Sequence, residues 1–272
     1  MLPTKKPINY NLEVLRGFAA IIVVLGHVIY YYENFNPAYF PKAIWHFQPP
    51  AHVALLLFFV LSGFVIGVSQ KERLAGIAVL VYLRKRFIRI YPLYFIAVTF
   101  GLVIATSPYP VKSVISNLTI TQNIYRDVIW ENNPLWSLNF EVLFYLLFIP
   151  LSFFKIKPLI AFVFFFLLGS INLCIPVNQL ITAYSFGYCF WLTGLYIATA
   201  FQKKEIQTKV LPIIFFILAI AVLIADRGYI SKLFSILRIP VKKGLWNDII
   251  INLEDLVFLP YCFMGCTFFC RT

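Results

Sequence analysis

The chain has 272 residues, 61% of them hydrophobic and 12% charged, with a mean hydropathy of +0.84. Soluble domains are nearer half apolar and a quarter charged, so this composition excludes a soluble globular protein and predicts an all-α, polytopic transmembrane helix bundle. The net charge of +12 comes from basic residues lying between apolar runs; that pattern reads as topology signals and contacts with a lipid bilayer, not as a nucleic-acid surface.

In chain order, Lys5 and Lys6 give the amino-terminal tail a cytoplasmic character. The first predicted span, 12–32, lacks a small-residue cleavage site and contains His27, so it reads as a retained helix and not a signal peptide. It carries three ionisable residues, Glu13, Arg16 and His27. Arg16 and His27 lie eleven residues apart. That is close to three helical turns, about 16 Å of rise, and places both on one face. Glu13 falls near the same line. Such groups within a span usually face protein or a wet cavity; the simpler reading is a hydrogen-bonded core histidine with Arg16 reaching the headgroups.

A loop with Trp45 and His46 precedes a second span, 52–69, whose Ser62, Gly63 and Gly67 permit close helix approach or a bend. His52 opens that span, and neither it nor His46 is given a role. The segment 71–92 is the most basic, with Lys71, Arg73, Arg84, Lys85, Arg86 and Arg89 around an amphipathic stretch expected on the cytoplasmic side. Pro92 is expected to open the third span, over 91–107. The outer segment 108–133 is weakly amphipathic, and its Asn117-Leu118-Thr119 sequon is given no weight.

The fourth span contains Glu141 within an apolar run. Residues 158–202 lack charge and are too long for one crossing of about 20 residues, which predicts two helices divided near 176–184. A seventh span over 210–225 and an eighth over 249–270 bring the count to about eight. Of the 23 basic residues, 15 then fall inside and eight outside, five of those eight (Arg227, Lys232, Arg238, Lys242 and Lys243) in one outer loop. Five cysteines lie in or beside apolar spans, an odd number that argues against a disulfide framework. Cys262, Cys266 and Cys270 share a helix face and read as small packing residues, not as a metal site.

Four stretches together resemble the acyltransferase-3 family of integral-membrane O-acyltransferases: LRGFAAIIVVLGH, FFVLSGFVIG, RKRFIRIYPLY and LWSLNFEVLFY. The resemblance covers residues 11–145 well and the remainder as a hydrophobic pattern. It implies about ten membrane helices and transfer of acetyl or other acyl groups from a coenzyme A donor to hydroxyls, often on cell-surface sugars. Against it, the reading of 1–272 is a single membrane-embedded acyltransferase domain lacking the family's usual last helices, with a homo-oligomer as one way to complete it. The bacterial inner membrane, with the amino terminus cytoplasmic, is the expected location.

Under that resemblance the residues suit acyl transfer. His27, with an unperturbed imidazole value of about 6.5, can accept the proton of an acceptor hydroxyl at neutral pH; a transient acyl-histidine is the alternative. Arg16 lies along the line a pantetheine arm would follow. Arg84, Lys85, Arg86 and Arg89 supply charge for the phosphates of acyl-CoA (acetyl-CoA), with Arg86 and Arg89 preferred as matches to the basic motif. A basic loop that only sets topology accounts for them equally. Glu141 matches the family pattern after Trp136 and Ser137, and either pairs with Arg16, orients His27 or makes a structural ion pair. Trp136 anchors at the interface or stacks on sugar, and Ser62 packs or donates to substrate. The expected partners are acyl-CoA and a glycan or lipid-linked sugar acceptor, with no metal. The rival reading is a transporter or flippase of lipid-linked sugars, using the same His, Arg and Glu as a polar pathway; the chain shows no internal repeat of the kind such proteins often carry.

Overall fold

The computed structural model describes residues 10–30, 50–124, 128–174, 178–202, 251 and 254–269. The amino-terminal lysines, His46, the span expected over 210–225, the loop 227–243 and Cys270 lie outside them. Among the described residues every regular element is helical: α1 (Tyr10–Tyr30), α2 (Ala51–Ser69), α3 (Ile77–Ile104), α4 (Val111–Leu118), a 3-10 turn (Trp130–Leu135), α5 (Trp136–Phe153), α6 (Pro158–Cys174), α7 (Gln179–Gln202), a second 3-10 turn (Glu254–Phe258) and α8 (Leu259–Phe269).

Five of these elements are long and apolar enough to cross a bilayer: Leu12–Ile29, Ala51–Ser69, Ile77–Ile104, Trp130–Phe153 and Gln179–Ala200. A sixth, Pro158–Leu173, is apolar but shorter. The expected total of about eight is therefore not reached among the described residues. The division of 158–202 into two helices stands, with α6 ending at Cys174 and α7 starting at Gln179. The expected eighth span is described only in part. Its described part is a 3-10 turn and an 11-residue helix, about 16 Å long against a hydrocarbon core of about 30 Å. Glu254 and Asp255 interrupt the apolar run just before it.

The third span also differs from expectation. Pro92 does not open a helix; it lies inside a continuous 28-residue one, α3, which ends at Ile104 instead of Ser107. Proline removes one main-chain donor, but breaking the helix in a bilayer would strand several more. Tyr91 and Tyr94, on either side of Pro92, also tie α3 to α4 by donating to the carbonyls of Leu118 (3.2 Å) and Asn117. The basic and apolar halves of this stretch thus form one rod about 42 Å long. Gly76 precedes it with φ +53°, a turn that a side chain would strain.

The chain forms two compact units, residues 1–69 with 189–272, and residues 70–188. In the first, α1 packs on α2, and α8 packs on both. Leu12, Leu15 and Ala19 form the buried line of α1, while Val14, Phe18, Ile21 and Val24 are exposed as a lipid-facing stripe would be. Gly63 of α2 and Gly194 of α7 do serve close approach: a Cβ at Gly63 would lie 1.9 Å from the Trp191 carbonyl oxygen, and one at Gly194 would lie 1.8 Å from that of Val60.

In the second unit, Tyr94, Val98, Ile129 and Leu135 form a buried cluster. Asn117, fully buried, pins α4 to the following loop: its Nδ2 donates to Ser113 O at 2.9 Å, and its Oδ1 accepts from Ile129 N at 3.3 Å. The sequon therefore points inward. Phe140 and Phe144 of α5 stack against Tyr184 and Tyr188 of α7, and the Tyr184 hydroxyl donates to Asn139 Oδ1.

Candidate functional site

The predicted site residues divide between the two units. Arg16 and His27 belong to the first; Glu141 and the four cations of α3 belong to the second. On α1, Arg16 and His27 are both half-buried. Arg16 Nη1 pairs with Glu13 Oε1 at 3.4 Å across one turn, with Glu13 more than half exposed. Such a pair is loose and worth little by itself; it leaves the guanidinium free to change partner.

In the second unit the four cations separate by exposure. Arg84, Lys85 and Arg89 are exposed, whereas Arg86 is drawn inward. Its guanidinium carbon lies 5.5 Å from the Tyr82 ring and 5.6 Å from the Tyr145 ring, within the range where ring quadrupoles attract a cation. Tyr82 donates its hydroxyl to Tyr145 O at 3.3 Å. Tyr145 in turn donates its hydroxyl to Glu141 Oε1. Arg86 and Glu141 are thus joined through two buried tyrosines, one from α3 and one from α5. Arg86 Nε is buried and has no hydrogen-bond partner among the described residues.

Beside this cluster lies a cavity of about 270 Å³ between α3, α5 and the end of α4. Arg86, Tyr91, Thr119 and Tyr145 bring polar groups to its wall; Leu83, Phe87, Ile90, Ile120, Val142 and Leu146 make the rest apolar. Trp136 is half-buried and meets Phe140 edge to face at 5.4 Å, which joins it to the α5–α7 aromatic column.

Two arrangements were missed from sequence. Tyr82 and Arg86, like Glu141 and Tyr145, are spaced four apart and so lie on one helix face; that spacing was a readable signal, but the meeting of the two helices was not. The second is His52, whose Nε2 lies 2.9 Å from Asp255 Oδ1. Nothing in the separation of 203 positions announces that pair.

The family profile described as an acyltransferase domain matches residues 9–272. The chain belongs to the acyltransferase-3 family. Acyltransferase MdmB of Streptomyces mycarofaciens is a relative, 29% identical over 149 residues, which is 51% of this chain and 38% of that protein. The match therefore spans under half of the relative's length. No solved structure matches the chain. Family membership gives the α3 cations and Glu141 a chemical context that geometry alone does not.

Proposed function

We propose that this chain is an integral-membrane O-acyltransferase of the bacterial inner membrane, amino terminus in the cytoplasm. It would move an acyl group, acetyl as the favoured one, from acyl-CoA to a hydroxyl of a cell-surface glycan or lipid-linked sugar. The observation that carries the reading is the family match across residues 9–272. The name of the relative, an acyltransferase, agrees with it.

In this reading the named residues divide the requirements of the chemistry. His27 is the general base: it takes the proton of the acceptor hydroxyl as that oxygen attacks the thioester carbonyl. When the tetrahedral adduct collapses, the carbon–sulfur bond breaks and the thiolate recovers the proton from the imidazolium. A positioned base of this kind contributes about 10²–10⁴ in rate. Arg84, Lys85, Arg86 and Arg89 hold the donor's phosphates, and Arg16 lies along the donor's path. Glu141 acts through Tyr145, whose hydroxyl it accepts, and so fixes the ring against which Arg86 rests.

Acetyl transfer to glycan, measured in cells carrying His27→Ala at matched membrane levels, tests this directly. A fall of about a hundredfold or more is expected, and transfer at the wild-type rate removes His27 from the mechanism. Arg84→Gln and Arg89→Gln are expected to raise KM for acetyl-CoA more than they lower kcat, as loss of donor binding does.

A further inference from the structure

The cavity beside Arg86 runs between α3 and α5. Its α3 wall is the stripe Leu83, Arg86, Phe87, Ile90 and Tyr91, and Val142, Tyr145 and Leu146 of α5 face that stripe. The α3 wall rises about 12 Å. Its cation stands towards the basic end of α3, and Thr119 and Ile120 lie at the wall alongside its far end. Phe87 and Leu146 on its rim are 57% and 46% exposed, so in a bilayer the groove opens to hydrocarbon.

The groove is therefore apolar along its length, cationic at one end and accessible from lipid. Its cation is also incompletely satisfied. The rings of Tyr82 and Tyr145 hold the guanidinium in place, yet Arg86 Nε has no acceptor among the described residues. A buried donor left unmade is costly, and guanidinium favours a bidentate oxyanion. A phosphate is an acceptor that can meet that need. Basic pockets between membrane helices bind anionic headgroups on the same logic.

We propose that this groove holds one chain of an anionic phospholipid, with the lipid's phosphate on the guanidinium of Arg86. The assignment goes beyond acyl transfer. It takes Arg86 from the donor's phosphates and gives it to the lipid's, leaving the exposed Arg84, Lys85 and Arg89 to meet the donor from the surface. The lipid would thereby hold α3 against α5 at the cluster that includes Glu141.

Native mass spectrometry of the full chain, after exchange into vesicles of phosphatidylglycerol or of phosphatidylcholine and extraction into detergent, tests the proposal. Wild type is expected to retain one phosphatidylglycerol per chain and to lose phosphatidylcholine. Arg86→Gln, which removes the charge, and Val142→Trp, which fills the groove, are each expected to reduce the adduct at least about tenfold. Arg86→Lys keeps the charge and is expected to retain most of it, which guards against loss through misfolding. Equal retention of both lipids, or an unchanged adduct in both disruptive variants, would mean ordinary boundary lipid and overturn the proposal. Displacement of the adduct by acetyl-CoA would assign the groove to the donor and also overturn it. Because the readout is a bound mass, it does not depend on whether His27 proves to be the base.

Discussion

Gly63 of α2 faces the main-chain carbonyl of Trp191 on α7 with no room for a methyl group, since its Cβ would stand 1.9 Å from that oxygen. Gly194 returns the relationship towards Val60 at 1.8 Å. Backbone obstructs both positions, so a rotamer change cannot relieve the clash. Gly63→Ala is expected to force the helices apart and lower stability by about 1–3 kcal/mol, read as a lower melting temperature in detergent. Gly17→Ala is the control: nothing lies within 4 Å of its Cβ, and a helical glycine replaced there is expected to be neutral or to gain up to about 1 kcal/mol. Equal melting of Gly63→Ala and wild type would refute the close approach.

The Tyr145–Glu141 hydrogen bond lies within α5, beside the ring that Arg86 and Tyr82 of α3 meet. Tyr145 is buried, so Tyr145→Phe is expected to cost about 0.5–1.5 kcal/mol through the lost hydrogen bond. Glu141→Gln keeps an acceptor and is expected to cost less. A double-mutant cycle should show coupling of at least about 0.5 kcal/mol; additive losses would mean that the two side chains act independently.

Asn117 answers a question that its sequon raises. Its buried amide spans Ser113 and Ile129, so no glycan can be attached without unmaking that corner. Expression in a glycosylating host is expected to give no mass increment at Asn117. Asn117→Ala is expected to destabilise by about 1–3 kcal/mol, because Ile129 N–H loses its acceptor while buried. An occupied sequon on folded protein would contradict the structure.

His52 and Asp255 join the start of α2 to the turn before α8, with the carboxylate side chain only 12% exposed. His52→Ala and Asp255→Ala are each expected to loosen that turn, seen as faster proteolysis or deuterium exchange across 254–269. The double variant is expected to lose less than the sum, since neither residue then leaves the other without this partner. Strict additivity would show that the 2.9 Å contact contributes nothing.

Several features were legible because they depend on residues near one another in sequence. Apolar run lengths marked α1 and α2, and the excess length of 158–202 required a break. The glycines after Ser62 signalled a close approach. Local rules also misled. Pro92 reads as a helix start, yet α3 runs through it, because contacts made by Tyr91 and Tyr94 and the scarcity of alternative partners in lipid outweigh one lost hydrogen bond.

The sequence by itself determined that this is a helical membrane protein and, through four short motifs, which family it belongs to; both follow from composition and local order. It also nominated Arg16, His27, Glu141 and the α3 cations by residue type. Only the tertiary structure decided that Arg86 turns inward while Arg84, Lys85 and Arg89 stay out, that Tyr145 joins it to Glu141, that Asn117 is buried and that His52 meets Asp255. Each of those outcomes depends on which faces of separate helices come together, and helical periodicity states which residues share a face without stating what that face will meet.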